Sequence, residues 1–323
     1  MCTAITYQTK DHYFGRNLDY EHGFQEAVTI TPRAYPFNFR RLPPIERHYA
    51  MIGMAVVSEG YPLYFDATNE HGLSMAALNF PHSAQYMPDQ TGKDNVAPFE
   101  LIPWLLGSCK TALEAREKIE NLNLVDIPFS PEYPLSPLHW LLADATQTLV
   151  IEQTASGLQV YENPVGVLTN EPPFPYHMTN LQNYLSISNE EPSNCFAPSL
   201  PLKPYSRGMG GLGLPGDLSS ASRFVKAAFT RLNSVSKDSE SASISQVFHI
   251  LGSVAQQQGC VKVGNLYEKT IYTSCCNTTR GIYYYTTYEN SQITCIRLRG
   301  IDLDTDKPVS YRLIKCQQIR MEN

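Results

Sequence analysis

Three kinds of feature are missing from this 323-residue sequence. No apolar run approaches the roughly 18 residues that a membrane-spanning helix needs. The opening MCTAITYQTK has no basic start followed by an apolar stretch, so a cleaved secretory signal is not indicated. Lys and Arg number 25 against 31 Asp and Glu, and they form no run suited to nucleic acid. These absences predict a cytoplasmic protein with no membrane and no nucleic-acid partner.

Metal and phosphate signatures are missing as well. The eight cysteines show no C-x-x-C pair and no Cys/His spacing typical of zinc sites, so most are expected to be buried thiols. The glycine-rich stretch 208–217 lacks a Walker lysine. We therefore expect no metal and no cofactor. A redox thiol switch is an alternative that the cysteine count leaves open, although no resolving-cysteine pattern supports it.

Short β-type runs alternate with helical stretches along the chain. The β-type runs are 3–9, 12–17, 51–57, 72–80, 138–144, 148–153, 165–170, 269–275, 281–288 and 292–298. Helical periodicity is best at 98–122, 219–233 and 244–258. This alternation predicts an α+β fold of layered sheets and helices. No repeat, linker or composition shift marks a boundary, which favours one domain over 1–323. Long irregular loops, which often carry function, are predicted at 32–48, 126–137, 171–176 and 190–217.

The second position of the chain carries a nucleophile. Cytosolic processing removes an initiator Met when the next residue is small, so Cys2 is expected to become the N-terminal residue of the mature protein. An α-amine titrates at about 7.7–8.0 and can accept the thiol proton without a histidine. Met1 is present in this sequence, which therefore represents the unprocessed form.

A predicted hairpin brings polar residues to this nucleophile. A turn near Lys10 pairs Cys2 with residue 17 or 18, so Arg16 and Asp19 flank it. Arg16 can stabilise a thiolate, and Asp19 can accept a hydrogen bond from the α-ammonium. The alternative interpretation of FGRNLDY is an ordinary surface Arg/Asp pair.

Seven segments spread through the chain form a specific pattern by their order and spacing: MCTAITY, YFGRNLDY, NEHGLSMAALNF, LHWLLAD, VGVLTNEP, GGLGLPGDLSSASRF and YTSCCN. Together they resemble the choloylglycine hydrolase family, in its conjugated bile acid hydrolase branch. The resemblance implies the Ntn-hydrolase αββα four-layer sandwich, with two antiparallel sheets between helical layers, and hydrolysis of non-peptide amide bonds. It also implies a homotetramer.

The resemblance assigns roles to individual residues. Cys2 is implied to be nucleophile and base, with Arg16 and Asp19 beside it. Asn79 and Asn170 match the positions that form the oxyanion hole, and Arg223 matches the remaining active-site arginine. Asn79 also favours bile salts, because related penicillin V acylases generally carry Tyr at this position.

The resemblance further implies an apolar slot for a steroid. The matching positions are Leu18, Phe65, Phe129, Tyr133 and Leu138, and ordinary core or loop packing is the alternative for each. His139 is interpreted as a structural strand residue. The predicted reaction is hydrolysis of glycine- or taurine-conjugated bile salts. A penicillin V acylase and a non-catalytic steroid-binding protein are the alternatives.

Overall fold

Two antiparallel β-sheets face each other at the centre of the computed structural model, which describes residues 1–323. The strands are β1 Cys2–Gln8, β2 His12–Tyr20, β3 Ala27–Thr31, β4 Met51–Ser58, β5 Tyr61–Asn69, β6 Ser74–Asn79, β7 Asp94–Val96, β8 Leu122–Leu124, β9 Leu138–Ala143, β10 Thr148–Thr154, β11 Gly157–Glu162, β12 Val167–Leu168, β13 Val261–Val263, β14 Leu266–Asn277, β15 Ile282–Thr287, β16 Asn290–Arg297 and β17 Val309–Arg312. The helices are α1 Leu101–Ser108, α2 Ala112–Ile119, α3 Phe174–Asn180, α4 Ser220–Asn233 and α5 Glu240–Gly252.

The first sheet contains both strands of the predicted hairpin, β1 and β2. Its order is β12-β1-β2-β14-β15-β16, with β13 beside β14. The second sheet has the order β11-β10-β9-β6-β5-β4-β3-β17. The central strand β2 is buried on both faces along nearly its whole length, because one face meets the second sheet and the other meets helices.

Helices cover the outer face of each sheet. Helices α4 and α5 pack on β1, β2, β12 and β14, whereas α1 packs on β5 and β6. Two apolar cores result: the larger joins the two sheets and continues under α4 and α5, and the smaller lies between the second sheet and α1 with α2. This is the αββα order of layers that the family resemblance implies.

Helix ends follow the capping chemistry of the sequence more closely than its periodicity. The helix predicted at 98–122 is wrong as one element: Cys109 is extended and Thr111 accepts from the Glu114 N–H, so α2 starts anew. The helix predicted at 244–258 instead begins at Glu240, because Ser239 caps it, and ends at Gly252. Ser219 caps α4, whose range confirms the helix predicted at 219–233 to within one residue.

Several strands lie outside the predicted runs. The segment 165–170 contributes only Val167–Leu168 to the first sheet, and β3, β5, β11 and β17 were not predicted. The loop predicted at 171–176 ends where α3 begins at Phe174. None of the helices is both long and apolar enough to cross a bilayer.

Candidate active site

Cys2 begins β1, at one end of the first sheet. The β1–β2 hairpin pairs it with Leu18, which confirms the predicted register. The residue is 3% exposed and forms part of the wall of a cavity. Arg16 and Asp19 therefore lie on the strand that runs directly beside the thiol, as expected.

The guanidinium of Arg16 lies between the two sheets and contacts the thiol. Its Nη2 donates to Cys2 Sγ at 2.9 Å, while Nη1 donates to the carbonyls of Phe65 and Ala77 at 3.0 and 2.9 Å. The side chain is completely buried. This contact orients the Cys2 sulfur, and the cation can stabilise negative charge that develops on it during a reaction.

Asp19 and Arg223 meet on the other face of the same sheet, below α4. Arg223 Nη1 donates to the carbonyl of Cys2 at 2.6 Å and to Thr3 Oγ1 at 2.7 Å, and it lies 3.9 Å from Asp19 Oδ2. Asp19 Oδ1 accepts from the Thr270 hydroxyl at 2.6 Å. The nucleophile is thus held from both faces of its sheet.

Burial acts against both of these charges. It raises the pKa of Asp19, and the positive charge of Arg223 opposes that rise. It lowers the pKa of Arg223, and the carboxylate of Asp19 opposes that fall. Asp19 Oδ2 has no hydrogen-bond donor in this unprocessed chain. A buried acceptor without a donor is costly, so this oxygen is ready to accept a further N–H.

Met1 lies in front of the Cys2 nitrogen. Its ammonium donates to the main-chain oxygen of Asp19 at 2.8 Å and to the carboxylate of Glu268. The expected bond from the α-ammonium to the Asp19 carboxylate is therefore absent here, because Met1 displaces the ammonium by one residue. The Cys2 nitrogen is an amide in this form and cannot serve as a base.

Asn170 connects the nucleophile to the neighbouring strands. Its Oδ1 accepts from the Cys2 N–H at 2.8 Å and from Arg223 Nη2 at 2.7 Å. Because arginine can only donate, these contacts fix the orientation of the amide. Its Nδ2 donates to the Asn79 carbonyl at 2.7 Å, and the second N–H of that group remains for a ligand. The structure therefore brings both predicted oxyanion-hole asparagines together.

The main chain of Asn170 is itself held by two side chains. Its N–H donates to Ser220 Oγ at 2.9 Å, and its carbonyl accepts from His177 Nε2 at 2.9 Å. Burial lowers the pKa of His177, so its ring donates as a neutral imidazole. His139 is completely buried and bonds Glu152 and the Thr169 carbonyl, which agrees with its interpretation as a structural residue.

A cavity of about 490 Å³ opens beside Cys2. Its lining is predominantly apolar and includes no lysine or arginine. All five residues predicted for the steroid slot line it: Leu18, Phe65, Phe129, Tyr133 and Leu138. Asn79 and Asp19 also line it, so the apolar space leads directly to the polar groups around the thiol.

Further lining residues were not predicted from the sequence. Tyr20, His22 and Phe24 continue from the end of β2, with ring centroids 4.9–5.2 Å apart, and line the cavity. Aromatic rings at every second position directly after Asp19 were a sequence signal from which this part of the lining could have been predicted. Val56, Leu63, Phe99 and Ile102 come from separate elements and carried no such signal.

Comparisons with known proteins agree with this geometry. The sequence matches the family described as linear amide C-N hydrolases, choloylglycine hydrolase family, over residues 2–311. It is 56% identical over 314 residues to a bile salt hydrolase/transferase of Lactiplantibacillus plantarum, with 97% of each chain covered.

Solved structures have the same arrangement of layers. The chain is similar to a conjugated bile acid hydrolase from Clostridium perfringens, with a TM-score of 0.93, 36% identity and 100% of both chains covered. It shares its fold with a penicillin V acylase from Agrobacterium tumefaciens, with a TM-score of 0.74, 19% identity and 95% and 89% coverage. The Ntn-hydrolase αββα sandwich is thereby confirmed, and the chain belongs to the choloylglycine hydrolase family of linear amide C-N hydrolases.

Proposed function

We propose that this protein hydrolyses the amide bond of glycine- or taurine-conjugated bile salts, with Cys2 as an N-terminal nucleophile. The observation that carries the proposal is the position of the Cys2 sulfur. It lies 2.9 Å from a buried guanidinium and forms part of the wall of an apolar cavity. A steroid fits such a cavity, and its amide would reach the polar groups at the inner end.

Removal of Met1 activates the site in this proposal. The new α-amine of Cys2 has up to three N–H donors where the peptide had one. Asn170 Oδ1 already accepts from this nitrogen, and the unpartnered Asp19 Oδ2 lies on the same side of the sheet as Arg223. The surrounding acceptors therefore suit an amine better than a peptide N–H.

The reaction proceeds through a thioester. The α-amine takes the thiol proton, the sulfur attacks the amide carbon, and the carbonyl π electrons move to oxygen. The second N–H of Asn170 Nδ2 and the main-chain N–H of Asn79 donate to that oxyanion, each worth roughly 3–4 kcal/mol in comparable sites. The C–N bond then breaks, and the leaving glycine or taurine takes a proton from the α-ammonium.

Water completes the cycle. It attacks the thioester carbon and gives a proton to the α-amine, and the C–S bond breaks to release the bile acid and regenerate the thiol. Arg16 stabilises the sulfur whenever it carries negative charge. Arg223 holds the Cys2 carbonyl and the Asn170 amide in place. No metal and no cofactor takes part.

The steroid supplies most of the recognition. Residues such as Phe129 and Leu138 offer apolar surface, which stabilises by about 25 cal/mol per Å² buried. The cavity lining has no lysine or arginine for the anionic end of the conjugate. Release of taurine from a taurine-conjugated bile acid by the purified protein, and its absence in Cys2→Ala, tests the proposal.

A transferase activity is a second candidate. Relatives are named bile salt hydrolase/transferase, and a thioester can be attacked by an amine in place of water. The product would then be a new amide. Incubation of a conjugated bile acid with a second amino acid, followed by mass spectrometry, detects the exchange product. Only hydrolysis products at high amino-acid concentration would exclude it.

Penicillin V acylase activity and non-catalytic steroid binding are the alternatives. The relative kcat/KM for a bile salt and for penicillin V decides between the two enzymes. Retention of Met1 in all of the purified protein would favour the binding protein, because the amine would then be absent.

We also propose a homotetramer of single-domain subunits in the cytoplasm. Strands from both ends of the chain pair in one sheet, β17 with β3, which supports one domain. Leu185, Phe196 and Tyr205, in the irregular stretch 185–208, are at least 83% exposed, as expected of a subunit contact. Four of the eight cysteines are exposed, so the expectation that most are buried is wrong, and free exposed thiols such as Cys195 suit a reducing compartment. Light scattering of the wild type and of Phe196→Glu tests the assembly.

A further inference from the structure

The charge of Arg16 has no hydrogen-bonded carboxylate to balance it. All of its hydrogen bonds go to neutral acceptors or to the thiol: the carbonyls of Asn17, Phe65 and Ala77, and Cys2 Sγ. A fully buried guanidinium is costly unless an anion lies near. Either the Cys2 thiolate or another group must therefore supply the negative charge.

Asp66 is the carboxylate placed to do so. It directly follows Phe65, whose carbonyl binds Arg16, and its side chain is buried in the interior between the sheets. Its two oxygens accept from the hydroxyls of Tyr272 and Tyr283, both at 2.7 Å. Acceptance at both oxygens is the pattern of an ionised carboxylate. Burial raises the pKa of Asp66, and Arg16 and these hydroxyls oppose the rise.

Two β-bulges bring these groups together. In β5 the pairing passes from Met54–Asp66 to Ala55–Tyr64, so Phe65 has no partner on β4. In β14 the register shifts between Thr270 and Tyr272. A bulge redirects the residues around it, which here allows the Phe65 carbonyl to reach Arg16.

The neighbouring strand makes room for this arrangement. Gly53 lies opposite Ala67, and a Cβ at that position would come within 2.0 Å of the Asp66 carbonyl. Only glycine fits such a close approach. Several elements thus form the irregular backbone around Asp66. Asp66 itself does not line the proposed substrate cavity.

We propose that Asp66, held by Tyr272 and Tyr283, is a positioning residue that balances the charge of Arg16 and so sets how readily Cys2 forms its thiolate. This inference rests on the proposed function, since it concerns the same nucleophile. With Asp66 charged, Arg16 is already partly neutralised and attracts the Cys2 thiolate less strongly. Without that charge, the thiolate becomes the only anion beside Arg16 and forms at lower pH.

The pH dependence of Cys2 alkylation measures this effect. Processed protein is treated with iodoacetamide over a range of pH, and the modified tryptic peptide 2–10, which contains a single cysteine, is quantified by mass spectrometry. In Asp66→Asn we expect the midpoint of the alkylation profile to fall by about one pH unit. In Asp66→Glu, which keeps the charge, it stays close to the wild-type value.

Matched variants separate the charge from folding. Tyr283→Phe removes one hydroxyl donor to Asp66 and no carbon atom, so it makes the charged form of Asp66 less favourable. We expect it to lower the alkylation midpoint by less than Asp66→Asn does. This variant keeps the test available if Asp66→Asn does not fold. Tyr285→Phe is the control, because its hydroxyl accepts from the Ile314 N–H and does not touch Asp66. Its midpoint should equal the wild-type value.

The outcomes distinguish this inference from the proposed function. If the wild type releases taurine but Asp66→Asn and Tyr283→Phe have the same alkylation midpoint as the wild type, the proposed role of Asp66 is refuted. The proposed function is then unaffected. An equal shift in Asp66→Glu and Asp66→Asn would also overturn the role of Asp66, because the effect would then be structural. A wild type that is processed and folded yet releases no taurine would instead refute the function.

Discussion

Nη2 of Arg16 lies 2.9 Å from the sulfur of Cys2, although the two residues are 14 positions apart in the sequence. The β1–β2 hairpin produces this contact, because it pairs Cys2 with Leu18 and directs Arg16 between the sheets. The same strand carries Asp19 to the opposite face, towards Arg223. One tight turn thus supplies the nucleophile with a cation on one side and a buried ion pair on the other.

Replacement of Cys2 should separate catalysis from binding. We expect Cys2→Ala to remove hydrolysis while leaving the fold and steroid binding largely intact, because it deletes the sulfur without adding bulk. Cys2→Ser should be strongly impaired, since an alcohol is much harder to deprotonate than a thiol. Circular dichroism and calorimetric titration with a conjugated bile acid are the controls. Normal turnover in Cys2→Ala would eliminate the proposed nucleophile.

Asn170→Ala should act mainly on kcat. We expect kcat to fall by about 10²–10³ with a smaller change in substrate affinity, because an oxyanion donor acts in the transition state. The variant also leaves Arg223 Nη2 and the Cys2 nitrogen without an acceptor, so part of the loss reflects their position. Steady-state kinetics with one bile salt measures both constants. A pure increase in KM would assign Asn170 to ground-state binding instead.

Phe129→Ala tests whether the steroid dominates recognition. The Phe129 ring packs against Tyr61, Phe99 and Tyr133, with centroids 5.3–6.2 Å apart, and lines the cavity. Its loss should lower kcat/KM for the glycine and taurine conjugates of one bile acid by similar factors, with Cys2 alkylation unchanged. An effect on one amino acid alone would place Phe129 at the leaving-group end. Unchanged kinetics for both would leave it with a packing role.

His12 should make the fold sensitive to acid. Burial lowers its pKa from 6.5 to about 4, so the native ring stays neutral where the unfolded ring takes up a proton. The stabilisation is complete above pH 6.5 and is lost as the pH falls towards 4. At pH 5 we expect a loss of about 2 kcal/mol relative to pH 7 from this residue.

Urea unfolding at pH 7 and pH 5 tests this contribution. The decrease in the free energy of unfolding between the two pH values should be smaller in His12→Gln than in the wild type. His12→Gln changes the contact between His12 Nδ1 and Thr278 Oγ1 equally at both pH values. Its effect on the free energy of unfolding therefore cancels when the two pH values are compared. An equal decrease in both proteins would exclude His12 as the source of the acid sensitivity.

Local chemistry made part of this site predictable. The turn near Lys10 fixes which residues lie beside Cys2, so Arg16 and Asp19 could be placed from the sequence. Their odd spacing on one strand also puts them on opposite faces of the sheet. Helix α4 followed from its apolar periodicity, whereas the role of Arg223 came from the family resemblance alone.

The rest of the site depends on long-range pairing. Asp66, Tyr272 and Tyr283 meet only because β5 of the second sheet faces the paired strands β14 and β15 of the first. Each of these strands has a register shift that no short motif marks. Glu268 contacts the N-terminal ammonium of Met1 although the two residues are 267 positions apart in the sequence. Burial of such polar residues is set by the pairing of the two sheets, and alternation within one strand does not reveal it.

The most direct test of the account combines intact mass and activity on one sample of purified protein. We expect the mass to lack the initiator methionine and the same sample to release taurine from a taurine-conjugated bile acid, because the free amine of Cys2 is the base. A preparation that retains Met1 completely and still releases taurine at the same rate would contradict the mechanism. Complete removal of Met1 without any release of taurine or glycine would contradict the proposed function.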